Sequence, residues 1–134
     1  MAGWVVPTLF YIVFLGASGV TTKLALRTIT WEQMVLWVPI VYVGVSVVLL
    51  ATGTRFPLGA GGGWAALTAV CVAAALVLFF IALTHGEAAT VVPVSSVYPL
   101  VTLAGAALFL SEQVTVVRGL GTALVVAGVV LLAR

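Results

Sequence analysis

The chain has 134 residues, 64% of them apolar, with five basic and three acidic side chains. A water-soluble fold could not cover itself from that inventory, so the surrounding solvent is lipid. Length allows one domain, and a net charge of +2 scattered along the chain excludes the phosphate-tracking basic face that nucleic-acid binding needs.

A helix requires about 20 residues to cross the hydrocarbon core, where no water satisfies stray backbone groups. The first segment that qualifies is 4–22, with room to run on to Arg27. No basic residue precedes it and Lys23 and Arg27 follow it, the reverse of a secretory signal, so it is expected to remain as a helix. The second is 34–52, opened by a capping box in which Thr30 is followed three residues later by Gln33. Residues 55–63, with Pro57 and four glycines, read as a flexible turn. These glycines are no phosphate loop, since neither a preceding strand nor a Gly-Lys pair accompanies them.

The remaining segments are 64–83, 88–110 and 115–133. Every charge falls between the segments or at their edges, and Trp4, Trp31 and Trp64 stand near proposed ends, where an indole can lie in the headgroup layer. Trp37 lies deeper. The lone cysteine, Cys71, sits among alanines and valines and reads as a packing residue, so no disulfide, metal site or cofactor is expected. The fold class is therefore an all-α integral membrane protein of five transmembrane helices, forming one domain over 1–134.

With an odd number of crossings the termini face opposite sides. Arg55 and Arg118 then share the side of the N-terminus, against Lys23, Arg27 and Arg134 on the other, a weak bias under the positive-inside rule. Many transporters consist of two inverted repeats, and a repeat with an odd helix count inverts when duplicated. No repeat is evident inside this chain, so two copies inserted oppositely and paired as an antiparallel homodimer are expected. A monomer of fixed topology and half of a heterodimer stay open beside it.

Residues 88–132, AATVVPVSSVYPLVTLAGAALFLSEQVTVVRGLGTALVVAGVVLL, carry an Ala-Ala helix start, Pro99 in mid-helix, an apolar run ending at Glu112, a following threonine, Gly121 and a closing Gly-Val-Val-Leu-Leu. This pattern resembles the EamA-like domain of the drug/metabolite transporter superfamily. Gly16 and the run Lys23, Leu24, Ala25, Leu26 extend the likeness to the first helix, Lys23 resembling the lysine at the end of the family's first helix. Helix two departs: family members often carry an arginine within it, and this chain has Trp37 at the nearest position. The resemblance implies a multi-pass protein of the cell (inner or plasma) membrane, surrounded by lipid, that moves metabolites or drug-like compounds by alternating access through a cavity between two five-helix halves. Full-length members have ten helices; this chain looks like a single-domain member.

Helix four holds the most informative cluster, for Ser95, Tyr98, Pro99 and Thr102 recur at i, i+3, i+4 and i+7 and share one helical face. Pro99 leaves the carbonyl of Ser95 without its helical partner, and Pro93 does so for Ala89. Such groups must face protein or a water-filled space. Two readings stand: a substrate cavity, or hydroxyls that satisfy the kink and bond across a helix interface. Tyr11, Ser18 and Thr22 form a second polar seam on helix one that could face the same space.

No acidic residue lies within the apolar interior of any span. The small multidrug resistance proteins of the same superfamily exchange protons through a glutamate in their first helix, which is missing here, so that mechanism is disfavoured. The candidates left for charge roles are Lys23, placed to snorkel or to recruit an anionic group; His85, beside Glu87 in a short polar connector; and Glu112, which braces the turn after helix four and is expected to pair with Arg118. Helix five has Gly119, Ala123 and Ala127 at four-residue spacing, and Gly121 and Gly128 seven apart. Small residues let helices approach closely. The glycine pair resembles the dimerisation helix of the small multidrug resistance family, which implies a subunit contact at Gly119, Gly121 and Gly128. Packing within one subunit is the other reading.

The function expected is transmembrane transport of a small-molecule substrate. A non-transporting subunit that stabilises a partner protein is the alternative. No nucleophile stands beside a base within the spans, so catalysis is not expected.

Overall fold

The computed structural model describes residues 3–56, 59–109 and 115–132. Their elements are α1 (Val5–Ala25), α2 (Trp31–Ala51), α3 (Ala60–His85), α4 (Ala88–Ser95), α5 (Tyr98–Phe109) and α6 (Val116–Leu132), with no strand among the described residues. Four stretches, the third of them beginning at Gly61 and the fourth running through α4 and α5, are long and apolar enough to span a bilayer, and α6 is a shorter apolar fifth. The chain divides into two units, Met1–His85 and Gly86–Arg134.

In the first unit, α3 packs against both α1 and α2. Pro7 falls in the first turn of α1, where a missing N–H costs nothing. At the start of α2 the expected capping box is present: the Gln33 N–H donates to Thr30 Oγ1 at 3.4 Å, and the Thr30 N–H donates to Gln33 Oε1 at 3.0 Å. It opens the helix at Trp31, three residues before the expected start, and puts Glu32 in the first turn, where the helix dipole favours an anion.

The glycines of 55–63 are not all turn. The Gly62 N–H donates to the Gly59 carbonyl at 2.8 Å, closing a first turn, and α3 runs on through Gly63. Glycine disfavours a helix in water, but a lipid environment demands that each N–H find a carbonyl, which extends the helix backwards. Gly53, at φ +93°, is the residue that does need glycine's freedom, ending α2 in a left-handed position.

The expected single helix over 88–110 is two helical segments separated at Ser96 and Val97. The Ser96 N–H is shared between the Val92 and Pro93 carbonyls at 3.2 and 3.0 Å, and the Val97 N–H reaches Val94 at 3.3 Å, so the last turn tightens to i→i−3 bonding. Pro99 cannot donate to Ser95 and crowds its carbonyl, so the ladder stops there. A new turn begins with the Leu100 N–H on Val97 O at 2.9 Å. Within this second unit, α4 packs against α6.

Little side-chain area is shielded within either unit. Among the described residues the buried large apolar side chains are Phe80, Leu83 and Val129, while Phe14 on α1 is 72% exposed. Lipid tails are as apolar as these side chains, so no hydrophobic force drives them inward.

Candidate functional site

In the second unit, a groove of about 580 Å³ runs between α5 and α6. Tyr98, Pro99 and Thr102 of α5 line one wall, and Arg118, Gly121 and Thr122 of α6 the other. Leu103, Ala106, Val125 and Val126 supply the apolar part, and Ser96 from the break closes one end. The helical interruption before Pro99 thus brings a hydroxyl-bearing serine to the groove, along with the first turn of α5.

Three of the four helix-four residues singled out from the sequence meet here. Ser95 is left on α4, one residue before the break, and its hydroxyl donates to the Val92 carbonyl at 2.7 Å. Ser96 takes its place beside the groove while donating to Pro93 O at 2.6 Å. The Thr102 hydroxyl donates to Tyr98 O at 3.4 Å and Thr122 to Arg118 O at 2.9 Å. Each hydroxyl spends its proton on its own helix and keeps oxygen lone pairs as acceptors. Ser96, Thr102 and Thr122 therefore offer the groove acceptor oxygens, and Tyr98 and Arg118 complete its polar lining.

Arg118, Thr122 and Ser96 are the polar groove residues that sequence spacing did not single out. The signal was available in part, because Arg118, Gly121, Thr122 and Val125 recur at i, i+3, i+4 and i+7. Arg118 occupies the first turn of α6, and the Thr115 hydroxyl accepts its backbone N–H at 3.4 Å as a cap.

In the first unit, the Ser18 hydroxyl donates to Leu15 O at 2.7 Å, Thr22 is buried in the core, and Tyr11 is half exposed. Lys23 has a more definite task. Its ammonium, part-buried, donates to the Leu83 carbonyl at 2.7 Å, sixty residues away. That carbonyl belongs to the last turn of α3, whose acceptors have no helical donor, so the lysine closes an open helix end and ties α1 to α3. His85 is turned back on the same end: Nδ1 lies 2.9 Å from Ile81 O and 2.8 Å from Thr84 Oγ1. A carbonyl only accepts, and the Thr84 hydroxyl already donates to Ile81 O, so Nδ1 carries a proton. Glu87 is the exposed N-cap residue of α4, with no side-chain cap bond. A second cavity, about 430 Å³, lies beside Gln33, Trp37 and Ile40 of α2, giving Trp37 a wall position on that helix.

Glu112, and with it the expected pairing with Arg118, lies outside the described residues. Gly119, Gly121 and Gly128 are all on α6, and a Cβ built at any of them meets nothing within 4 Å. The described residues hold no cluster of three or more metal-ligating side chains.

Comparison with known proteins agrees with this architecture. An uncharacterised protein of Methanocaldococcus jannaschii is 39% identical over 69 residues, a match covering 52% of this chain and 50% of that relative, so about half of each is compared. No solved structure matches the chain. The family model of the EamA-like transporters matches residues 3–134, which takes in all five apolar segments, and this multi-pass membrane chain belongs to the EamA-like transporter family.

Proposed function

We propose that the chain is one half of a secondary transporter, in which two copies insert oppositely into the cell membrane, pair as an antiparallel homodimer and carry a small metabolite or drug-like compound by alternating access. Family membership supports transport as the activity. The odd number of apolar segments and the near balance of basic residues, two against three, support opposite insertion.

The observation that carries the reading is the double position of Gly121. It lines the α5–α6 groove, and at 100° per residue it shares its side of α6 with Gly128, seven residues on. A partner seated on the glycine pair therefore borders the groove, so an open trough in one subunit becomes a covered passage in two. The interrupted span beside it supplies the bend that a cavity wall must make when access switches sides.

Labelling of both termini for accessibility in intact cells, with flux measured in proteoliposomes, tests the proposal. Each terminus should label from both faces, and a cross-linked dimer should carry the flux. A single orientation with a functional lone copy overturns it; a co-purifying protein with no flux supports the stabilising-subunit reading.

A further inference from the structure

We infer that the hollow on α2 holds the glycerol-ester region of one diacyl lipid, its ester carbonyls accepting from the Gln33 amide and the Trp37 indole and its chains running down past Leu36 and Ile40. This site goes beyond transport and does not depend on it. The hollow, about 430 Å³, is lined among the described residues by Ile29, Gln33, Leu36, Trp37 and Ile40. The four helical members are exposed, whereas Met34, Val35 and Val38 between them are half-buried, so the lining is the outer face of α2. What its polar groups lack is an acceptor. The Gln33 side-chain oxygen accepts the Thr30 N–H at 3.0 Å, which fixes the amide and leaves its NH2 to be satisfied. Among the described residues neither that NH2 nor the Trp37 indole N–H meets an acceptor. Both groups only donate, and at i and i+4 they stand side by side, one turn apart. Two such donors over apolar side chains call for a molecule with two acceptors on an apolar body.

Depth selects which molecule. Trp31 opens α2, and an indole at a helix end lies in the headgroup layer. Gln33 is then about 3 Å and Trp37 about 9 Å further along the helix. That interval brackets the boundary between the headgroups and a hydrocarbon core of about 30 Å within a bilayer of about 40–45 Å. Ester carbonyls lie at this boundary, and acyl chains begin below it. No charged side chain lines the hollow among the described residues, for Arg27 and Glu32, the nearest in sequence, are not part of it. A free phosphate or carboxylate would lose its water there without gaining a counter-charge, whereas a neutral carbonyl loses little and gains a donor.

The test compares two phosphatidylcholines with the same headgroup and chains, one ester-linked and one ether-linked, which differ in the carbonyl acceptors. The detergent-solubilised protein is incubated with an equimolar mixture and washed, and the lipid it retains is quantified by mass spectrometry. The diester should be retained about tenfold over the diether, the ratio that two hydrogen bonds of ordinary net strength give. Trp37→Phe keeps an aromatic ring and Gln33→Glu keeps the capping-box acceptor, while each removes its donor, so both should fold. Each should cut the preference to about threefold, and the two together should abolish it. Equal retention of the two lipids, a preference unchanged in the double variant, or no lipid of either kind retained overturns the proposal. So does a disulfide formed in high yield between two copies at Trp37→Cys, in a Cys71→Ala background in membranes, because protein would then cover this face.

Discussion

In the first unit Pro39 lies inside α2 and the helix continues to Ala51, whereas in the second the span that carries Pro93 and Pro99 stops at Ser95 and resumes at Tyr98. Each of these prolines lacks the N–H that a carbonyl one turn earlier would accept. What differs is the company. Around Pro99 two serines turn their hydroxyls onto the Val92 and Pro93 carbonyls, and a second proline six residues earlier has already weakened the ladder. In α2 the Ser46 hydroxyl donates to Tyr42 O, well past Pro39. A single proline is absorbed by a helix in lipid; a proline joined by hydroxyls that compete for the same carbonyls divides it. The first unit is accordingly three uninterrupted rods, and the second a bent wall with a trough.

This contrast can be broken most severely at the trough's rim. A Cβ at Gly121 or Gly128 meets nothing within 4 Å in the subunit, so Gly121→Ala and Gly128→Ala should fold and serve as controls, while Gly121→Leu and Gly128→Leu should separate the proposed dimer and reduce flux to background, as read by cross-linking and proteoliposome uptake. Retained dimers with normal flux would detach the glycine pair from assembly. The next largest effect sets the prolines against each other. Pro99→Ala should restore a continuous helix, raising thermal stability by up to about 3 kcal/mol while lowering flux, whereas Pro39→Ala leaves flux nearly unchanged. Equal losses from both would show that the break has no special role.

Lys23→Met tests the first unit's own brace. It leaves the Leu83 carbonyl without its ammonium donor and should cost about 1.5–3 kcal/mol in detergent unfolding, with Lys23→Arg falling between. Smallest is Thr30→Ala, which removes the acceptor of the α2 capping box and should cost about 1 kcal/mol, measured by the same unfolding series. A larger loss there than at Lys23 would reverse the ranking of the two bonds.

The apolar segments and the Thr30 cap were legible because each is a local property: length and hydropathy announce a span, and a three-residue spacing announces the box. The face shared by Tyr98, Pro99 and Thr102 was legible for the same reason. The break at Ser96 and Val97 was not, since the sequence showed a bend at Pro99 without showing how the two serines would share the carbonyls before it. Gly61 and Gly63 read as turn residues by propensity, and the requirement for paired backbone in lipid overrode it. The Lys23 bond to Leu83 joins residues sixty apart, and no spacing rule reaches that far. Arg118 carried a sign but no address until α6 was placed beside α5.

The bond between Lys23 and Leu83 has a consequence for biosynthesis. While the ribosome is still making the residues between them, the lysine has no carbonyl to engage, and its full cationic charge sits just past the first hydrophobic stretch, where charges weigh on the choice of orientation. Once helix three arrives, that ammonium is drawn into packing. The charge that votes on topology during insertion is thus partly taken into helix packing afterwards, and the finished chain displays less of the bias than it obeyed when it entered the bilayer.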